Sequence, residues 1–185
     1  MGETELIRLA QSGDEKAYVE LMQLYHRTIE KFAYQCGVHQ NDVSDVTQEV
    51  FIKLYRFLYQ FQHDRFTTWL YKITLNAVRD YYRKESKEKS KEHKWKEQMN
   101  DEPLLVSTEK KILLFEEDQQ LHDAILSLDE KYRYPIIFFY FQELSYEQIG
   151  EVMNIPLSTV KTRILRAKEQ LKIALVNERG EQIGR

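Results

Sequence analysis

Apolar residues recur at steps of three and four along most of this 185-residue chain, the spacing that places them on one face of an α-helix. The first such stripe is Leu21, Tyr25, Ile29 and Phe32, and Asp14 precedes it at the position of an N-cap. The chain has only 6 Gly and 3 Pro, too few for the many turns of a barrel or a sandwich. The sequence therefore predicts an all-α fold.

Two further helices are predicted before residue 85. One follows Asn41 and buries Val43, Val46, Val50 and Leu54. The other runs from about Phe66 to past Tyr82, and Trp69 lies on its apolar side, which favours a core position for that side chain. Three helices joined by short loops can close one small core, so residues 1–85 are predicted to form the first domain.

After Arg83 the apolar spacing disappears. Residues 83–96 are a run of Lys and Glu, and residues 98–103 add Asn, Asp, Glu and Pro. This composition predicts a flexible linker at residues 86–107, followed by a second domain at 108–178 that folds separately. The second domain is expected to begin with a helix carrying Ile112, Phe115, Leu121 and Ile125. Its next helix is expected to start close to Pro135, because proline is tolerated only in a first helical turn.

Residues 144–156 have the composition of a short helix followed by a sharp turn. Ser145 and Gln148 have the spacing of a capping box, in which each side chain bonds a free backbone N–H of the first turn. Gly150 lets a neighbouring helix approach closely. Asn154 tolerates the left-handed conformation that ends a helix, and a proline follows it. These signals predict a helix-turn-helix.

The second helix of this pair is predicted from Leu157 to Lys172, and its two faces differ. The apolar face carries Val160, Ile164, Ala167 and Leu171. The opposite face carries side chains that can contact bases in a major groove, namely Thr159, Thr162, Arg163, Arg166 and Gln170. Beside it, where phosphates would lie, are Lys161, Lys168 and Lys172. An ordinary amphipathic helix remains the alternative, but the cap, the turn and the basic side together favour DNA binding.

Charge is segregated along the chain, whose formal net charge is −3. Residues 71–97 hold 9 basic and 5 acidic side chains, and residues 156–185 hold 7 and 3. The remainder is acidic. Two basic segments within an acidic protein can hold a polyanion while the rest of the chain is repelled from it. Solvated Lys-rich helix faces would give the same pattern, so charge alone does not decide.

The sequence indicates a cytoplasmic protein. The longest apolar run, residues 136–141, is far shorter than the roughly 18–20 residues of a membrane span. The acidic N-terminal residues do not have the pattern of a signal peptide. Cys36 is the single cysteine and cannot form an internal disulfide, which favours a reducing compartment.

Little in the chain suggests catalysis. The five His residues are scattered, and no Gly-rich phosphate loop or nucleophile motif is present. Asp42, Asp45 and Glu49 share one helix flank and could ligate a hard cation, but no second carboxylate-bearing helix completes a site. A solvated or partner-binding face is therefore favoured. We expect no enzyme activity, no metal, no cofactor and no small-molecule substrate.

Four motifs occur in a fixed order. Residues 45–51, DVTQEVF, have the form D-x-x-Q-E-x-F, and residues 66–83 have the form F-x-x-W-L-x-x-I-x-x-N-x-x-x-D-x-x-R. Residues 144–149, LSYEQI, and 158–167, STVKTRILRA, follow. In content, order and spacing the four motifs resemble regions 2 and 4 of the extracytoplasmic-function (ECF) group of bacterial sigma factors. Glu143 stands where the family commonly has glycine.

The resemblance implies a sigma subunit that binds core RNA polymerase and directs initiation at a restricted set of promoters, with an anti-sigma factor, often membrane-anchored, as a further partner. It implies that the polymerase-binding residues are Asp45, Gln48, Glu49, Ile52 and Arg56. It implies that the minus-ten element is held by Asp64, Arg65, Lys72, Asn76, Arg79, Asp80 and Arg83. It implies that the minus-thirty-five element is contacted by Ser158, Thr159, Lys161, Thr162, Arg163 and Arg166.

Two other classes of protein fit parts of the sequence. A helix-turn-helix repressor would bind its operator without polymerase, and a helical enzyme using the carboxylate flank would show metal-dependent activity. A gel shift with and without core polymerase separates these from a sigma factor.

Overall fold

The computed structural model describes the backbone of residues 2–62, 65–96 and 119–183, with side chains at all of these except 91–96 and 177–183. Within these ranges the chain is helical and has no strand, which confirms the all-α prediction. The helices are α1 Glu3–Gln11, α2 Glu15–Gln35, α3 Val43–Phe57, a 3-10 turn Leu58–Gln60, α4 Phe66–Lys96, α5 Gln119–Ser127, α6 Glu130–Tyr140, α7 Tyr146–Met153 and α8 Leu157–Ile183. None of these described helices is long and apolar enough to cross a membrane.

The first module, α1–α4, forms where local sequence signals predict it. The Asp14 side chain accepts a hydrogen bond of 3.0 Å from the backbone N–H of Ala17 and so caps α2. The apolar stripe of α2 is buried, and α4 begins at Phe66 as predicted. Trp69 is half-buried and packs against Phe61 and Phe66, with ring centroids 5.1 and 5.9 Å away. Its predicted place on the apolar side of the helix is confirmed.

Helix α4 is longer than the sequence suggested. It spans 31 residues, about 46 Å at 1.5 Å per residue, and ends at Lys96. The prediction of a flexible linker from residue 86 is therefore wrong for residues 86–96, while residues 97–107 lie outside the described residues. Lys and Glu are good helix formers, and pairs such as Glu85 and Lys89, 2.7 Å apart, add support. Loss of apolar spacing here marks a helix leaving the core, not the end of the helix.

Helix α6 starts earlier than its proline predicted. Asp129 caps it by accepting a 3.0 Å hydrogen bond from the N–H of Lys131, so Pro135 is the sixth helical residue and not a first-turn residue. A proline in the interior of a helix lowers the stability of that helix by about 3 kcal/mol. Residues 134–138 are all buried, and each large apolar side chain among them contributes about 1.5–3 kcal/mol. Packing therefore outweighs the local cost of the proline.

The second module, α5–α8, packs directly on the first. Phe138 of α6 stacks on Phe32 of α2 with ring centroids 4.9 Å apart, and Tyr71 of α4 lies edge-on to Phe138 at 5.7 Å. The Tyr71 hydroxyl donates to Oε1 of Gln142, whose Nε2 donates to Oε1 of Gln35 at 2.7 Å. Gln35 and both phenylalanines are almost completely buried. The modules thus share one core and do not pack as the separate units that a flexible linker predicted.

Candidate nucleic-acid and polymerase interfaces

The predicted helix-turn-helix is present as α7 and α8. Ser145 Oγ accepts a hydrogen bond from the Gln148 N–H, and Gln148 Oε1 accepts one from the Ser145 N–H at 2.8 Å, which completes the capping box. Asn154 ends α7 in the left-handed region, with φ 54° and ψ 51°. A Cβ placed on Gly150 would lie 2.9 Å from the carbonyl oxygen of Ile155. These local features fix the angle between the two helices.

The exposed face of α8 brings the predicted reading residues together. Val160, Ile164 and Ala167 are at most 1% exposed and anchor the other face in the core. Five of the six residues expected at the minus-thirty-five element line one hollow: Ser158, Thr159, Thr162, Arg163 and Arg166. The sixth, Lys161, is exposed but lies outside the hollow. The helix itself extends to Ile183, past the predicted end at Lys172.

The same hollow contains two residues that the sequence did not indicate. Lys131 and Tyr132, from the first turn of α6, line it opposite the start of α8. Interaction with the Tyr132 hydroxyl raises the pKa of the Arg166 guanidinium above its ordinary value. Lys131 Nζ lies 5.0 Å from the centroid of the Tyr132 ring. No periodic signal could have revealed this contact, since 34 positions of sequence separate Tyr132 from Arg166.

The predicted minus-ten residues form an exposed stripe on α4. Lys72, Asn76, Arg79 and Arg83 are exposed, while Asp80 is half-buried. The Asp80 carboxylate accepts a 3.0 Å hydrogen bond from Lys53 Nζ of α3 and another from Arg83. The Asp80 carboxylate therefore holds the side chains of Lys53 and Arg83 close together. Asp64 lies outside the described residues.

Two of the predicted minus-ten residues contact the second module. Arg65 Nη1 lies 3.3 Å from a carboxylate oxygen of Glu151 in α7. The Arg79 guanidinium lies 5.6 Å from the centroid of the Tyr134 ring in α6. In this arrangement α6 and α7 lie beside Arg79 of α4 and Arg65 of the loop before it, although both side chains remain exposed.

The predicted polymerase-binding residues divide into two groups. Gln48, Ile52 and Arg56 line a groove between α2 and α3. Tyr55 also lines this groove and is 64% exposed. The groove is therefore a solvent-exposed apolar surface with a polar rim, as found at many protein interfaces. The sequence did not indicate Tyr55. Asp45 and Glu49 lie instead in the hollow between α3 and α4, where Glu49 is 3.5 Å from Lys53 Nζ.

Other acidic side chains line the second hollow together with Asp45 and Glu49: Asp42, which directly precedes α3, and Asp80, Glu85 and Glu88 of α4. Among the residues that the structure describes, no group of three or more His, Cys, Asp or Glu side chains is placed to hold a metal ion.

Comparison with known proteins agrees with this geometry. The family model described as Sigma-70 region 2 matches residues 21–88, and the one described as Sigma-70, region 4 matches residues 118–171. The ECF RNA polymerase sigma factor SigW of Bacillus subtilis is 33% identical over 176 residues, covering 90% of this chain and 92% of that protein. The chain belongs to the ECF RNA polymerase sigma factors. This ECF sigma factor is thus a subunit that directs transcription initiation, and it is not an enzyme.

Two solved structures have the same fold as this sigma factor. One is the structure of CnrH in complex with the cytosolic domain of CnrY, with a TM-score of 0.68 and 24% identity, covering 93% of this chain and 96% of that one. The other is the sigma factor RpoE in complex with the anti-sigma factor NepR from Bartonella quintana, with a TM-score of 0.63 and 19% identity, covering 86% and 97%. At these identities the likeness concerns the fold alone.

Proposed function

We propose that this sigma factor binds core RNA polymerase through α3 and contacts promoter DNA through α4 and α8. The observation that carries the proposal is the hollow on α8, where hydroxyl and guanidinium groups converge on an exposed face while the opposite face is anchored in the core. Arg can bond guanine in a bidentate manner, and Thr can contact a base or a thymine methyl group. Helix α8 is therefore the element that recognises the minus-thirty-five sequence.

The minus-ten element is assigned to α4 and the loop before it, residues 64 and 65. Lys72, Asn76 and Arg83 lie exposed along one side of α4 and supply cations and an amide for a nucleic-acid strand. Asp80 keeps Arg83 in place through its hydrogen bond. Arg65 and Arg79 complete the surface once they leave their contacts with the second module.

The polymerase-binding surface is assigned to α3. Gln48, Ile52 and Arg56 offer an apolar groove with polar ends, and Asp45 and Glu49 offer negative charge beside it. A protein partner that fits both would bring an apolar side chain to Ile52 and a cation to Glu49.

The proposal also includes a regulatory partner and a cellular location. An anti-sigma factor is proposed as a further partner, as the likeness in fold to the complex of RpoE with NepR supports. We place the protein in the cytoplasm, where core polymerase and promoter DNA are found. We propose that it directs initiation at a restricted set of promoters.

Charge reversal on α3 tests the polymerase surface. We expect Glu49→Lys to weaken binding to core polymerase about tenfold or more, because it opposes a cation of the partner and adds a second cation beside Lys53. Titration of labelled protein with core polymerase measures this effect. Glu20→Lys is the matched control, since Glu20 is exposed and lies on the side of α2 away from the groove. Equal affinity of the parent and the Glu49→Lys protein would contradict the assignment.

Truncation on α8 tests base recognition. We expect Arg163→Ala or Arg166→Ala to cost about 1–3 kcal/mol and to relax preference at particular base pairs of the upstream element. Lys172→Ala should weaken all sequences alike and flatten the salt dependence, as loss of a phosphate contact does. Transcription by reconstituted holoenzyme from a randomised upstream element measures both. If both Arg variants keep the parental base preferences and only lower output, α8 grips phosphates and does not select bases.

A further inference from the structure

Helix α4 continues beyond the residues that the minus-ten motif covers. The motif ends at Arg83, whereas α4 runs on to Lys96 without a break. We call residues 84–90 the α4 extension. Most of it lies where the sequence predicted a flexible linker, yet the structure shows regular helix there. Because an α-helix turns by about 100° per residue, the extension has a fixed orientation relative to the motif.

The exposed minus-ten side of α4 continues into the extension. The four exposed minus-ten residues of α4 share a sector of about 60° around the helix axis: Lys72, Asn76, Arg79 and Arg83. Ser86, Lys87 and Ser90 fall in this sector or within about 20° of its edges, and all three are exposed. One polar stripe therefore runs from Lys72 to Ser90, over about 27 Å.

The extension offers this stripe hydrogen-bond donors and positive charge. Lys87 supplies an ammonium group, and Ser86 and Ser90 supply hydroxyl groups. Such donors bind phosphate oxygens and fix the register of a protein on the duplex. The acidic side chains of the extension lie elsewhere, since Glu85 and Glu88 line the hollow between α3 and α4. The stripe is therefore suited to a polyanion along its whole length.

Lys87 and Lys89 differ in their positions on the helix and in their partners. They are two residues apart, which places them on nearly opposite sides of α4. Lys89 Nζ lies 2.7 Å from a carboxylate oxygen of Glu85, away from the stripe. Among the side chains that the structure describes, no ion pair involves Lys87. Lys87 is therefore available to an anion that lies along the stripe.

The course of the chain indicates which DNA the extension meets. The minus-ten and minus-thirty-five elements are about 25 base pairs apart, or about 85 Å at 3.4 Å per base pair. Residues 97–118, between α4 and α5, span at most about 80 Å even when fully extended. The chain reaches the upstream element more easily if the C-terminal end of α4 points toward it. This direction places the extension beside the duplex upstream of the minus-ten element.

We propose that the α4 extension binds phosphates of the double-stranded DNA directly upstream of the minus-ten element, with Lys87 as the main contact and Ser86 and Ser90 beside it. The contact adds affinity and fixes register, and it does not select bases. The inference rests on the proposed function of α4.

The test measures the affinity of reconstituted holoenzyme for two promoter fragments. One has the natural backbone, and the other carries uncharged methylphosphonate linkages at the first few positions upstream of the minus-ten element. We expect Lys87→Ala to weaken binding to the natural fragment about threefold to tenfold, whatever the bases at those positions. The slope of log affinity against log salt should fall by about one. On the uncharged fragment Lys87→Ala should have no effect, because its partner has already been removed.

Lys89→Ala is the matched control. It removes the same charge from the same turn of α4, but on nearly the opposite side. Its affinity for both fragments should stay within about twofold of the parent, because an exposed charge far from the phosphates is screened by salt.

Three outcomes contradict the inference. Lys87→Ala protein that binds the natural fragment as tightly as the parent has lost no phosphate contact. An equal loss on both fragments, or an effect that disappears only with uncharged linkages downstream of the element, places the contact elsewhere. An equal loss in the Lys89→Ala protein means that net charge alone matters.

A separate measurement tests the function on which the inference rests. Asn76→Ala and Arg83→Ala are compared with the parent on promoters with a randomised minus-ten element. If neither variant changes the base preference there, the proposed function of α4 fails. If either variant changes it while Lys87→Ala binds as the parent does, the function of α4 stands and only the proposed role of the extension is wrong.

Discussion

Replacing Phe138 with alanine is expected to lower the free energy of unfolding of the whole chain by about 3–5 kcal/mol. Phe138 is completely buried and touches rings from two helices of the other module, Phe32 and Tyr71. Removing the ring leaves a cavity in the middle of the contact between α2, α4 and α6. Because closely packed surroundings relax only partly, neither module can fill that space alone.

Tryptophan fluorescence during urea unfolding measures this effect. Both tryptophans, Trp69 and Trp95, belong to α4 in the first module, whereas Phe138 belongs to the second. A shift of the midpoint reported by tryptophan therefore shows that the modules unfold together. Leu165→Ala is the control, since Leu165 is 59% exposed and its loss should cost no more than about 0.5 kcal/mol. An unchanged midpoint in the Phe138→Ala protein would mean that the modules unfold independently.

Replacing Gly150 with alanine is expected to cost about 1–3 kcal/mol and to impair recognition of the upstream element. A Cβ at this position would lie 2.9 Å from the carbonyl oxygen of Ile155, which is backbone and cannot rotate away. The Gly150 carbonyl also accepts the N–H groups of Asn154 and Ile155. The turn must therefore move as a unit, and α8 moves with it.

The measurement combines thermal unfolding with transcription from promoters that have or lack the upstream element. We expect the Gly150→Ala protein to lose most of the stimulation that the element gives, while initiation that does not depend on it falls less. Gly2→Ala is the control, since no atom lies within 4 Å of the position of its Cβ. Full stimulation by the element in the Gly150→Ala protein would show that α8 keeps its orientation despite the added methyl group.

The sequence predicts features whose cause is local. The cap at Asp14, the box of Ser145 and Gln148, and the left-handed Asn154 each depend on groups within four residues, and each is confirmed. At Glu143 the local backbone conformation can also be related to the sequence pattern, although the residue found there is not the expected one. It has φ 53°, the left-handed region that glycine adopts most easily, at a position where the resemblance leads one to expect glycine.

The sequence did not correctly predict features that depend on residues far away along the chain. The start of α6 at Glu130 depends on burial against other helices, which local proline rules do not contain. The division of the α3 residues between two hollows depends on where α2 and α4 pack. Tyr132 and Arg166 line the same hollow but come from two helices that no shared period connects. The motifs thus predict which residues form the proposed site, whereas the neighbours that pack beside them required the tertiary structure.

Under the proposed function, the packing of the second module on α4 limits promoter affinity, because only molecules with a free minus-ten surface bind DNA. A DNA strand that needs both Arg65 and Arg79 binds only the fraction of molecules in which these side chains have left Glu151 and Tyr134. Its apparent dissociation constant is the intrinsic constant divided by that fraction, so every 1.4 kcal/mol of contact between the modules weakens binding about tenfold. If the minus-ten strand binds as proposed, Gln35 and Gln142, which hydrogen-bond to each other between the modules, also help to set how strongly this sigma factor holds a promoter.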